Sequence, residues 1–223
     1  MGKFIDLKAA DGHKLAAYVA EPSGKPRGGV VVIPEIFGVN SHIQQTTDGF
    51  AADGYLAVSP AMFDRAQRNY DTGYSQPEIQ AGVAIMQKLD WKQAILDVEA
   101  AIGEAKKAGK VGIVGYCWGG TVAWRAAAHT AGLAASAPYY GGGMPSFKDE
   151  KPKVPTMCNF GELDQSPTPE QARELLAKHP EVQGHFYAGA GHGFNCDQRG
   201  SYNADAAKLA RERTLAFFRK HLG

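Results

Sequence analysis

The stretch V-G-I-V-G-Y-C-W-G-G-T, residues 111–121, decides the fold. Val111, Ile113 and Val114 are apolar and β-branched, as a short buried strand requires. Gly115, Gly119 and Gly120 then crowd around a centred Cys117, and the alanine-rich segment that runs to residue 130 suits a helix. A strand that turns at once into a helix around G-x-C-x-G predicts a nucleophile elbow, with Cys where G-x-S-x-G has Ser. The flanking glycines keep Cβ atoms out of a bend where strand and helix approach closely. The first N–H groups of the helix point at the sulfur and favour thiolate over thiol. The competing reading is a core cysteine, since Cys is among the residue types most often sealed from water.

On both sides of this unit, strand and helix signals alternate. Residues 29–33, G-V-V-V-I, form a continuous apolar run, as in a parallel strand buried on both faces. Further strands are expected at 55–59, 133–139, 154–160 and 184–188, and a hairpin around Asp11-Gly12 pairs 5–7 with 15–19. S-H-I-Q at 41–44, S-Q-P-E at 75–78 and T-P-E-Q at 168–171 read as capping boxes, and Asp90 as a further N-cap. Helices are therefore predicted from 41 to Gly54, over 75–88, over 90–108 with Gly109 as cap, over 168–179 and over 203–222. This order predicts one α/β domain over residues 1–223, a mostly parallel central sheet with helices on both faces.

Composition narrows the function classes. The chain has 223 residues, 44% hydrophobic and 21% charged, with a formal net charge of +1. That balance supplies no basic field for nucleic acid and no charge block for a membrane surface. Residues 1–6 lack the apolar core of a signal peptide, and Asp6 stands where myristoylation needs Ser or Thr. Three cysteines, Cys117, Cys158 and Cys196, are an odd and sparse set, which predicts reduced thiols and a cytoplasmic setting.

Three chemistry-bearing residues fall just after predicted strands, in the order Cys117, Asp164, His192. The carboxyl ends of parallel strands open onto one crevice, so loops distant in sequence converge there. Nucleophile, acid, histidine is the α/β-hydrolase order. Cys117 would attack a carbonyl as thiolate, and His192 would take and return the proton. Asp164 would fix the imidazole tautomer and stabilise the imidazolium. The backbone N–H of Trp118 is one expected oxyanion donor, and that of Ile36, after the 29–33 strand, the other. His13, His42, His129, His179, His185 and His221 read as surface or helix-end residues, and Cys158 as core. His192 and Cys196 lie four apart, yet no two further ligands stand at metal-site spacing, so no metal is expected.

With these residues in hand, the chain resembles the dienelactone hydrolase (carboxymethylenebutenolidase) family of the α/β-hydrolase superfamily. The matching motifs are I-P-E-I-F-G at 33–38, G-Y-C-W-G-G at 115–120, G-E-L-D at 161–164 and A-G-H-G-F at 190–194. The resemblance implies Cys117, Asp164 and His192 as the triad, with no metal or organic cofactor. It implies that Glu35 contacts the resting thiol and helps to activate it when substrate binds. It also implies that a small ester or lactone is opened through an acyl-enzyme thioester, which water then hydrolyses. The protein would be a monomer or small homo-oligomer, with no nucleic-acid or membrane partner.

One departure concerns the substrate. The resemblance implies arginines that hold a substrate carboxylate, one of them four residues past the histidine, and here that position is Cys196. Arg65, Arg68 and Arg199 remain as candidates, and Phe37, Tyr139 and Phe194 as candidate pocket aromatics. Two other readings stay open: an esterase or thioesterase with a different substrate, and a hydrolase scaffold that binds a small molecule without turnover. A serine nucleophile such as Ser59 or Ser136 lacks any elbow pattern.

Overall fold

The computed structural model describes residues 2–223. Eight strands form one sheet in the order β1-β2-β4-β3-β5-β6-β7-β8. They are β1 (Lys3–Lys8), β2 (Lys14–Ala20), β3 (Gly29–Ile33), β4 (Leu56–Pro60), β5 (Val111–Tyr116), β6 (Leu133–Tyr139), β7 (Met157–Gly161) and β8 (Gln183–Tyr187). β2 pairs antiparallel with β1 and with β4, and every pairing from β4 through β8 is parallel. Six α-helices connect or flank them: α1 (Ser41–Ala52), α2 (Gln76–Met86), α3 (Trp91–Ala105), α4 (Trp118–His129), α5 (Pro169–Lys178) and α6 (Ala204–Leu222). The expected α/β architecture is thus present.

β3 and β5 lie in the middle, and every residue of both is buried. Their alternate side chains serve two cores, as the two-residue period of a strand demands. Val30, Val32 and Val114 pack with Phe50, Phe217 and Phe218 of α1 and α6 on one face. Val31, Ile33 and Ile113 pack with Val98, Ile102, Val122 and Ala126 of α3 and α4 on the other. Full burial of each such side chain contributes roughly 1.5–3 kcal/mol. The two-sided demand explains why these strands read as unbroken apolar runs.

Where the boundaries differ, local chemistry gives the reason. α1 opens one residue earlier than its expected box: Asn40 is the N-cap, and its side chain accepts from the Ile43 N–H at 3.2 Å. Gln44 turns back to donate to the Val39 carbonyl at 2.9 Å, so it makes no box with Ser41. The other two boxes form, with Glu78 accepting from the Ser75 N–H and Gln171 from the Thr168 N–H. The helix expected to end at Gly109 instead tightens into a 3-10 turn at Lys106–Ala108. Among the described residues no helix is long and apolar enough to cross a membrane.

Candidate active site

The bend between β5 and α4 is strained. Cys117 has φ 56° and ψ −119°, a left-handed backbone for a residue with a side chain. Its surroundings hold it there. A Cβ on Gly119 would lie 2.5 Å from the Ile33 and Pro34 carbonyl oxygens, and one on Gly115 would run into the Gly119 carbonyl. Helix and strands can therefore close on each other only with glycine at both places, which leaves the Cys117 side chain standing at the end of the sheet.

Two later loops reach the same point. Asp164 follows β7, is 1% exposed, and accepts from the Ser166 N–H at 2.8 Å. His192 follows β8, and its Nδ1 lies 3.2 and 3.1 Å from the two oxygens of Asp164. A carboxylate only accepts, so Nδ1 carries a proton and Nε2 faces the sulfur, at 3.0 Å from Cys117 Sγ. Burial works against a charged His192. The neighbouring Cys117 sulfur and the bond to Asp164 outweigh it, raising the imidazole to about 11.

Glu35 stands just after β3 and is 1% exposed. Its Oε1 accepts from Arg199 Nη1 at 2.8 Å, while its Oε2 is buried without a hydrogen-bond partner. The expected contact of Glu35 with the resting thiol is therefore not the one formed. The guanidinium, resting against the rings of Phe37 and Tyr74 at 5.5 and 5.9 Å, takes the carboxylate, and the imidazole takes the sulfur. The pair satisfies a charge that burial would otherwise make costly.

A cleft of about 420 Å³ opens over the Cys117–His192 pair. Ile36 and Trp118, whose backbone N–H groups are the candidate oxyanion donors, are both on its wall. The rest is mostly apolar: Val83 and Met86 of α2, Leu89, and Trp91 and Ala94 of α3. Trp91 stacks on Trp118 with centroids 5.9 Å apart, and Arg125 lies 5.0 Å from its centroid. Among the described residues that line the cleft there is no Lys or Arg.

Several candidate substrate contacts lie elsewhere. Arg65 is clamped by Asp97 at 2.7 Å and by Asp11 at 2.8 Å, so its donors are spent within the fold. Arg68 is half exposed and 3.9 Å from Asp6. Tyr139 is core, its hydroxyl 2.7 Å from Thr214 Oγ1. Phe194 is sealed among Tyr140 and Tyr187, and Phe37 is buried against Tyr74 behind Arg199. Arg199 is close to the site, but through Glu35. Of the histidines read as surface or helix-end residues, His42 and His179 stand at helix ends and are buried, His42 against Asp197 at 3.0 Å and His179 with Nε2 2.8 Å from the Lys148 carbonyl. Ser59 and Ser136 are fully buried, which removes both as nucleophiles, and Cys158 is core as expected.

Known proteins share this arrangement of chain. The sequence profile described as Dienelactone hydrolase family matches residues 15–222. The carboxymethylenebutenolidase of Pseudomonas putida is 33% identical over 224 residues, covering 96% of this chain and 94% of that protein. A crystal structure from Klebsiella pneumoniae, provisionally described as a dienelactone hydrolase, superimposes with a TM-score of 0.83 at 27% identity, covering 98% of this chain and 100% of that one. The dienelactone hydrolase of Anabaena variabilis, at 16% identity and a TM-score of 0.73, covers 100% of this chain and 99% of its own and shows the shared fold alone.

Proposed function

Because the chain belongs to the dienelactone hydrolase family, whose relatives are hydrolases of ester and lactone bonds, we propose that it hydrolyses small esters or lactones through a thioester on Cys117. The observation that carries this reading is the 3.0 Å contact between Cys117 Sγ and His192 Nε2, with Asp164 behind the ring. The thiolate sulfur bonds to the substrate carbonyl carbon, and the carbonyl electron pair moves onto oxygen. The N–H groups of Trp118 and Ile36 stabilise that oxyanion. As the C–O bond to the alcohol breaks, the imidazolium gives its Nε2 proton to the leaving oxygen. The imidazole, now neutral, takes a proton from water. The hydroxide bonds to the thioester carbon, the C–S bond breaks, and a carboxylic acid leaves with the thiolate restored.

His192 Nε2, 3.0 Å from the sulfur, is placed to take its proton, so turnover of a neutral ester needs no movement of Glu35. An activated phenyl ester tests the nucleophile directly: mass spectrometry should find the acyl group on the peptide bearing Cys117. Acyl label on Cys158 or Cys196 instead would reject the mechanism.

The cleft also bears on substrate choice. Its wall of Val83, Met86, Leu89, Trp91 and Trp118 gains from burying apolar surface and offers a carboxylate no free cation. Neutral aromatic or alkyl esters are expected to have kcat/KM at least about tenfold above carboxylated lactones of equal reactivity, the charge discrimination that about 1.4 kcal/mol provides. A steep preference for the carboxylated compounds overturns the neutral-substrate reading. The thioester mechanism would survive that result, with Arg199 as the anion's partner.

A further inference from the structure

Behind the catalytic loop lies a group of side chains that the hydrolytic mechanism does not use. We propose that His42, Cys196 and Asp197 form a binding site for a single soft divalent cation of the Zn²⁺ type, separate from the Cys117–His192 pair. The N-terminal turn of α1 carries His42, and the loop between β8 and α6 carries the other two. One imidazole nitrogen, one sulfur and one carboxylate oxygen all lie within 4.8 Å of one another. His42 Nδ1 and Asp197 Oδ1 are already 3.0 Å apart.

The donor set selects the ion. Thiolate and imidazole favour Zn²⁺ and its soft neighbours over Mg²⁺ or Ca²⁺, which take oxygen ligands. Metal–ligand bonds of about 2.0–2.3 Å put tetrahedral ligands roughly 3.3–3.8 Å apart. The longer separations therefore need to close by at most about 1 Å while the 3.0 Å His42–Asp197 pair opens slightly, and Asp197, whose side chain is half exposed, is free to turn. His42 and Cys196 are buried. His42 and Asp197 border a second cavity of about 320 Å³, which gives the ion an entry path and leaves room for water as fourth ligand.

The second layer is in place as well. On the His42 side, Asn40 caps α1 and its Nδ2 donates to the Tyr74 hydroxyl at 2.9 Å, which fixes the turn that carries His42. Metal-binding groups are commonly oriented by such outer partners. Lys208 and Arg211 face the second cavity, and Arg211 is engaged by Asp53. A cysteine thiol is protonated near neutral pH, so binding replaces the S–H bond with a metal–sulfur bond and sends one proton to solvent. No electron is transferred. The His42 proton moves to Nε2, leaving the Nδ1 lone pair for the ion.

Titration calorimetry with Zn²⁺ on chelator-treated protein tests the site without reference to hydrolysis. One ion per chain is expected, with about one proton released when buffers of different ionisation enthalpy are compared. His42→Ala and Cys196→Ser should each weaken binding at least about tenfold, whereas Cys117→Ser should leave it unchanged. Asp197→Asn, at a half-exposed side chain, serves as the mildest variant, its circular dichroism expected to match the parent, and it should weaken binding about tenfold. Loss of the ion in Cys117→Ser with retention in His42→Ala would place the metal on the catalytic thiol and overturn the proposal. Absence of stoichiometric binding, or equal binding in Asp197→Asn and the parent, overturns it too.

Discussion

Cys117→Ala loses ester turnover by at least about 10³-fold and keeps its fold. The size follows from the geometry. The sulfur is the only group at the elbow that can form a covalent bond, and its neighbours act on the carbonyl only once that bond begins to form. With the sulfur gone, the Trp118 and Ile36 N–H groups, the proposed oxyanion donors, would still be placed to polarise a bound carbonyl. Water must then be placed by His192 alone, and the acyl-enzyme route is closed. The fold persists because Ala fits the φ 56° bend about as well as Cys does, and Gly115 and Gly119 still carry the close contacts. Removing the thiolate also removes the charge that acts most strongly to keep His192 protonated, so the imidazole should titrate lower in the variant. Initial rates on a phenyl ester, with the His192 titration followed by NMR, check both effects. Turnover equal to the parent would show that the protein either uses another nucleophile or merely binds its ligand.

What the sequence reveals about this site depends on how local each signal is. Cys117, Asp164 and His192 are legible because glycine-rich punctuation at strand ends marks where a parallel sheet opens. The partners of Glu35 are not legible. A carboxylate just after a buried strand announces that it needs a counter-ion, but whether imidazole, thiol or guanidinium supplies it depends on loops meeting across 164 residues of chain. Arg65 illustrates the reverse case. Asp97 falls on the same face of α3 as Ala94, Val98 and Ala101, and a carboxylate in an apolar stripe signals a buried partner. Followed through, that signal assigns Arg65 to the fold before any substrate.

The cleft wall is the least legible part. Val83 and Met86 lie three apart on α2, Leu89 follows it and Trp91 opens α3, and all four are only partly buried. Periodicity identifies the apolar face of α2 and α3 but is silent on whether that face is sealed or borders a cavity. Tyr139 and Phe194 fail in the other direction. As aromatics near strand ends they look accessible, but the Tyr139 hydroxyl finds Thr214, and the Phe194 ring is enclosed by other aromatics.

Asp164→Asn should lower kcat by about 10³–10⁴-fold with little change in KM. Asp164 accepts from two donors, the Ser166 N–H and His192 Nδ1–H. Asn has one accepting oxygen. If that oxygen keeps Ser166, the amide NH₂ faces the ring and forces Nδ1 to accept, which puts the proton on Nε2 and leaves no lone pair for water. The charge is lost as well, so His192 falls from about 11 toward its ordinary range and the alkaline limit of activity moves to lower pH. Stability follows with a definite sign. A histidine raised by folding contributes stability that is fully present below its unfolded value, about 6.5, and disappears as pH rises through about 11. The parent should therefore exceed the variant in denaturation midpoint by most on the acidic and neutral side, and the two should converge at the alkaline extreme. The measurements are kcat against pH and urea unfolding at three pH values. Unchanged kcat with an unshifted alkaline limb would mean that His192 needs no carboxylate, and with that the reading of these three residues as one catalytic unit fails.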